Sequence, residues 1–294
     1  VIDVNGWTKQ FSNGRGVFDL SFSIAEGEAF GFLGPNGAGK STTIRLLMGF
    51  IQADQGQATI RRLDCWKEAA AIQAFTGYLP GEIAFIEGMT GREFLQLLAD
   101  MRKMKDHSLK NELIERLQFD PDTPIRKMSK GMKQKVAITA TFMHRPAVII
   151  LDEPTSGLDP LMQQLFINLV NEEKKRGTTF LFSSHSFQEV ERTCDRAAII
   201  KDGYLVAEKD VHQWQTLQRK VMEITVANET EADRLEQALN GERTGGNRVR
   251  VTVKGNFDSL IHILADYHVL NLDVHAQSLE DIFMDYYDRR GERS

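Results

Sequence analysis

The sequence predicts an α/β protein built on a parallel sheet, with a helical insertion and a small separate α+β domain at its C-terminal end. Three observations predict it. Residues 29–33, 147–151 and 178–182 are short runs so apolar that both strand faces must be covered, as in a parallel sheet. Residues from about 88 to 146 carry helical periodicity with no strand between. After Gln215, strict alternation replaces the continuous apolar runs.

In chain order, residues 29–33 end in a glycine-rich turn, and residues 41–48 follow with helix formers. Thr90 and Glu93 read as a capping box, each side chain satisfying the other's backbone donor. The helix they open carries Phe94, Leu95, Leu97, Leu98 and Met101. Leu109, Leu113 and Leu117 mark a second helix, and after a loop at 121–124 a third starts near Lys130. Residues 160–176 place Leu161, Leu165, Phe166, Leu169 and Val170 on one face, and Gly177 stops that helix. Asp202 and Gly203 form a strong hairpin turn between strands at 197–200 and 204–207. Strands at 221–226, 249–253 and 269–274 are each followed by a helix, at 231–239, 257–267 and 279–287, with a loop at 241–246. The expected division is a first domain over 1–217, including a helical subdomain at about 88–146, and an accessory domain over 218–294.

Composition narrows the function classes. The chain has 294 residues, 41% hydrophobic and 26% charged, enough to bury a core and unlike a disordered chain. Lys plus Arg number 36 against 41 Asp plus Glu, a net charge of −5, which argues against nucleic acid as partner. No apolar run approaches the ~18 residues of a membrane span, so membrane work would pass through a partner. Cys65 and Cys194 have no metal-ligand spacing and fit a reducing cytoplasm. Residues 1–10 hold no unbroken apolar stretch of the secretory kind.

Residues 34–42, from Gly34 to Thr42, fit the phosphate-binding loop pattern and sit between a predicted strand and helix. Gly37, Gly39 and the backbone around Asn36 let N–H groups converge on phosphate oxygens, and the helix adds its positive dipole end. Lys40 is expected to reach the β- and γ-phosphates, Ser41 to ligate Mg²⁺, and Thr42 to reach the α-phosphate. The apolar strand before Asp152 and Glu153 has the form of a Walker B segment. Asp152 would hold Mg²⁺ through water and Glu153 would face the attacking water.

Between these motifs, Met128 to Gln134 resembles the signature of ATP-binding cassette (ABC) ATPases. Ser129 and Gly131 match, while Lys130 and Met132 replace the usual glycine and glutamine. In that family, the Ser and Gly clamp the γ-phosphate of ATP held by a partner subunit. The resemblance extends to Ser156 through Asp159 as a D-loop, and to His185 as the switch histidine. Phe11 matches the aromatic that stacks on adenine, with Trp7 as a rival. One position departs from the pattern: Gly81 stands where the family has a glutamine, with Glu82 next. Glu82 is expected to take over part of that contact from the metal side.

The resemblance implies a P-loop NTPase fold: a RecA-like core, an antiparallel β subdomain and a helical signature subdomain. It implies an ATPase using ATP and Mg²⁺, the nucleotide-binding subunit of an exporter for a drug, peptide or lipid-like substrate. Its expected place is cytoplasmic, peripheral on the inner membrane face, beside a multispan permease. One phosphate loop and one signature per chain imply a head-to-tail dimer with a second copy or a paralogous cassette. The competing reading is a soluble ABC ATPase whose nucleotide gates assembly of a non-transport complex. A GTPase is disfavoured because no Asn-Lys-x-Asp base-reading motif occurs.

Overall fold

The computed structural model describes residues 1–86, 88–211, 213, 220–253 and 257–276. The chain divides into two compact units, residues 1–211 and 212–294. The expected boundary between 217 and 218 lies outside the described residues, as does the helix expected at 279–287.

In the first unit, β1 (Ile2–Gln10), β2 (Gly16–Ile24), β4 (Gln55–Ile60) and β5 (Leu63–Asp64) form an antiparallel sheet in the order β2-β1-β4-β5. Their alternating pattern turns Ile2, Val4, Trp7, Leu20, Phe22 and Ile24 into one core, shared with Phe30 and Phe32. The second sheet contains β3 (Ala29–Leu33), β6 (Thr76–Leu79), β7 (Val148–Asp152), β8 (Thr179–Ser184), β9 (Arg196–Lys201) and β10 (Tyr204–Asp210). Its order is β10-β9-β3-β8-β7-β6, parallel except for the β9–β10 hairpin. Strands β3, β7 and β8 are buried at every position, as the apolar runs within them require.

Helices α1 (Lys40–Leu47), α2 (Ala69–Phe75), α6 (Pro160–Lys175) and α7 (Phe187–Thr193) connect these strands. The insertion consists of α3 (Gly91–Met101), α4 (Ser108–Arg116) and α5 (Lys130–Phe142). Both halves of the Thr90–Glu93 capping box are formed. Two side chains depart from the expected faces. Met101 is 71% exposed, because Leu95 and Ala99 carry the buried stripe and the last residue of α3 turns away from it. Leu161 is 65% exposed: the buried stripe of α6 runs through Met162, Phe166, Leu169 and Val170 instead.

A groove of about 290 Å³ separates the insertion from the sheet, lined by Phe50, Tyr78, Phe94, Arg102 and His144 among others. Burial, reinforced by the Arg102 charge, pulls the His144 pKa down to about 4. The unfolded chain therefore takes up this proton first as pH falls below the ordinary histidine value, so folding stability is lost as pH falls from about 6.5 toward 4. Chemical unfolding at pH 7 and pH 5 should show about 2 kcal/mol more loss in wild type than in His144→Gln. Equal losses would show that His144 titrates normally in the fold.

The second unit is an antiparallel sheet in the order β12-β13-β11-β14, from β11 (Lys220–Val226), β12 (Glu242–Gly245), β13 (Arg248–Val253) and β14 (Val269–Ala276). Helices α8 (Glu229–Leu239) and α9 (Asp258–Leu264) pack on it through Ala232, Leu235 and Leu260. The loop expected at 241–246 is instead largely β12. Its Gly-rich composition has little strand propensity, but pairing with β13 supplies the hydrogen bonds.

Candidate nucleotide-binding and hydrolysis site

The site forms because four loops leave the same edge of one sheet. Strands β3, β8, β7 and β6 are consecutive neighbours and parallel, so their C-terminal ends coincide. The register aligns Leu33 with Ser184, Ser183 with Asp152, and Leu151 with Leu79. The phosphate loop after β3, His185 after β8, Asp152 and Glu153 at the end of β7, and Gly81 after β6 therefore share one rim. Ligands of open α/β sheets bind at this kind of rim.

The phosphate loop is tightly braced. A Cβ on Gly34 would lie 2.4 Å from the Ile200 carbonyl oxygen, so only glycine fits there. Gly203, in the β9–β10 turn, donates its N–H to the Ala38 carbonyl at 2.9 Å. Gly39 is left-handed at φ 113° and opens α1 at Lys40. Lys40 is 5% exposed, and its Nζ donates to the Gly34 carbonyl at 2.6 Å. Asn36, Gly37 and Ser41 are exposed and Thr42 half-buried along the same loop and helix start.

Glu153 sits at the centre. Its backbone is left-handed at φ 51°, unusual for a residue with a side chain, and is held by its N–H donating to the Ser183 carbonyl at 3.1 Å. One carboxylate oxygen lies 2.5 Å from His185 Nδ1, the other 3.4 Å from Lys40 Nζ. That second oxygen is buried without a hydrogen bond among the described residues. Asp152 is 6% exposed, with Oδ1 accepting from the Ser183 hydroxyl. Its Oδ2 faces Gly81, where a Cβ would sit 3.5 Å away. Ser41 and Asp152 are an all-oxygen donor pair, the chemistry Mg²⁺ takes when phosphates and water complete its shell.

Other expected residues lie at helix starts and turns. Ser129 is the exposed N-cap of α5, accepting from the Met132 N–H at 3.2 Å. Asp159 caps α6 through the Met162 N–H at 3.0 Å. Gly131 approaches the loop before α6, its Cβ position being 3.0 Å from the Gly157 carbonyl oxygen. Phe11 is 40% exposed in the turn after β1, whereas Trp7 is 4% exposed and belongs to the core, which removes it as an adenine platform. Glu82 is exposed and has no hydrogen bond or ion pair among the described residues, while Gly81 holds the place beside Asp152.

Three positioning contacts have no signature in the sequence. Gln134, 3% exposed, donates to the Pro154 carbonyl at 2.6 Å and ties α5 to the turn after Glu153. Lys130 Nζ donates to Ser156 Oγ at 2.9 Å across the same junction. Ser183 orients Asp152. Each joins residues distant in sequence, which no local periodicity reports.

Fold and rim together define a P-loop nucleoside-triphosphatase with a cassette-type helical insertion. A family profile described as "ABC transporter" matches residues 17–156. The chain is 31% identical to the uncharacterized ABC transporter ATP-binding protein YdbJ of Bacillus subtilis (strain 168), over 97% of this chain and 94% of that one. It is 33% identical to the bacitracin transport ATP-binding protein BcrA of Bacillus licheniformis, over 79% of this chain and 77% of that one. Among solved structures, an ATP-binding subunit of an ABC transporter matches with a TM-score of 0.68 and 28% identity, covering 74% of this chain and 92% of that one. The chain belongs to the ABC transporter ATP-binding protein family, and it is an ATPase.

Proposed function

We propose that this cassette is the motor subunit of an exporter, hydrolysing ATP to drive a drug, peptide or lipid-like substrate through separate membrane subunits. The observation that carries the hydrolytic part is Glu153, which contacts both Lys40 and His185 at one sheet rim. Lys40 and the loop N–H groups bind the β- and γ-phosphates, Thr42 the α-phosphate, and Phe11 stacks on adenine. Ser41 and Asp152 hold Mg²⁺, which when bound neutralises charge on the phosphates. Glu153 orients and polarises the attacking water, and His185 fixes the Glu153 carboxylate. Ser129, Gly131 and the Asp159 turn, exposed or half-exposed at their helix starts, complete the site of a second cassette in a head-to-tail dimer.

The export direction is supported by 35% identity to a Nod factor export ATP-binding protein of Bradyrhizobium diazoefficiens, over 70% of this chain, and by the form of the signature at Ser129–Met132. Among the described residues no helix is long and apolar enough to cross a membrane. The proposed location is cytoplasmic, on the inner face of the membrane, with the groove below Phe50 and Tyr78 meeting the permease. Co-expression with the permease and transport assays in inverted vesicles test this reading. ATP-dependent accumulation of substrate is expected, whereas a cassette that fractionates as a soluble complex without permease would overturn it.

The second unit is proposed as accessory, because every nucleotide motif ends by His185 and the first unit is compact alone. Truncation after Gln218 should leave Mg-ATP affinity within about twofold while changing dimerisation or regulation. Loss of nucleotide binding in a well-folded truncation, read by calorimetry, would place part of the site in the second unit.

A further inference from the structure

His185 has an exposed side chain, 67% accessible, yet it must meet Glu153 at 2.5 Å. The residues on either side of it are tied to a buried carboxyl that the site above does not use. Glu189, in the first turn of α7, is 6% exposed, and its Oε2 accepts from Ser184 Oγ at 2.6 Å. Ser184 Oγ in turn accepts the Ser186 N–H at 2.9 Å, and Ser186 Oγ accepts the Glu189 N–H at 3.4 Å. These bonds close a ring around the single residue between the two serines, His185. The ring borders a cavity of about 360 Å³ whose wall includes Glu153, Thr155, His185, Glu189 and Arg192.

We propose that Glu189 is a positioning residue for hydrolysis, closing the Ser184–Ser186 ring that holds His185 against Glu153. Thr155 faces the carboxyl as a second hydroxyl, and Arg192, a cation in the cavity wall, is bonded to Gln164. Burial pushes the Glu189 carboxyl up, and the Glu153 charge adds to this, against the pull of the Ser184 and Thr155 hydroxyls and of His185. Cys194 also lies close enough to interact with it, and burial pushes that thiol up to about 12. The holding contact is the Ser184 hydroxyl donated to Oε2. The amide introduced by Glu189→Gln could make the same contact, since its oxygen accepts the Ser184 hydroxyl equally well.

The inference rests on the roles given above to His185 and Glu153, so His185→Ala is measured beside the Glu189 variants. Steady-state ATPase kinetics should show Glu189→Ala losing about tenfold or more in kcat with KM for ATP little changed, since small misplacements of a reacting group cost that much. Glu189→Gln should restore kcat to within about threefold. Ser184→Ala breaks the ring from its other side without touching the carboxyl, and should reproduce the kcat loss. Combined with Glu189→Ala it should add little further. Full kcat in a folded Glu189→Ala or Ser184→Ala protein would overturn the inference, as would a Glu189→Gln protein as slow as Glu189→Ala. Retention of turnover by His185→Ala would instead sink the underlying reading of the histidine.

Discussion

Glu153→Gln should bind Mg-ATP normally and turn over roughly 10²-fold or more slowly, the usual range for a general acid–base group. The substitution keeps size and hydrogen-bonding capacity while removing the charge that lies 2.5 Å from His185 and 3.4 Å from Lys40. The left-handed backbone at this position is set by the loop and is equally strained for Gln and Glu, so the fold is unaffected. Removing a negative charge beside bound phosphates should also favour the closed dimer. The variant should accumulate as an ATP-bound dimer, visible by size-exclusion chromatography with and without Mg-ATP. Near-wild-type turnover would take Glu153 out of the mechanism, and loss of ATP binding would make its role structural.

Lys40→Ala should fail at the earlier step. Lys40 is 5% exposed, and its ammonium is held by the Gly34 carbonyl at 2.6 Å, already desolvated and aimed into the loop. Deleting a buried cation that pairs with phosphate costs about 3 kcal/mol, roughly a hundredfold in Kd. Fluorescent nucleotide titration should therefore show weak binding, with no ATP-bound dimer even when Glu153→Gln is added. Wild-type affinity in a folded Lys40→Ala protein would remove Lys40 from the phosphate site.

The two variants divide the site as its physical chemistry does. In the proposed reading Lys40 acts on a charge present in the ground state, so its loss should appear in binding. In the same reading Glu153 acts on a water that reacts, so its loss should appear in turnover.

Much of the candidate site was legible as letters. Gly34 to Thr42 needed only a strand, a glycine turn and a helix start, all local. Asp152 and Glu153 were legible because an unbroken apolar strand ended there. His185 and Ser129 were legible only through resemblance, since a lone histidine or serine at an element boundary has no periodic signal. The Gly81 departure was visible in the sequence, but its consequence was not. Glycine lies against Asp152 while Glu82 points to solvent, because the end of β6 is in register with the end of β7.

By itself the sequence determined the elements and the chemistry each could carry. Apolar runs set the buried strands, the Thr90–Glu93 box set a helix start, and the glycine-rich loop set a candidate anion site, all within a few neighbouring residues. Tertiary structure decided what meets what. The order β3-β8-β7-β6 assembled one rim from residues more than a hundred positions apart. Packing also turned Leu161 and Met101 outward, sent Trp7 to the core, and made a strand of the glycine-rich segment at Glu242–Gly245. It placed Gln134 under Pro154 and Glu189 under Ser184. The physical reason is one of range: propensity and periodicity act over a turn of helix or a few strand residues. Strand pairing and buried hydrogen bonds take their partners from wherever the fold brings them.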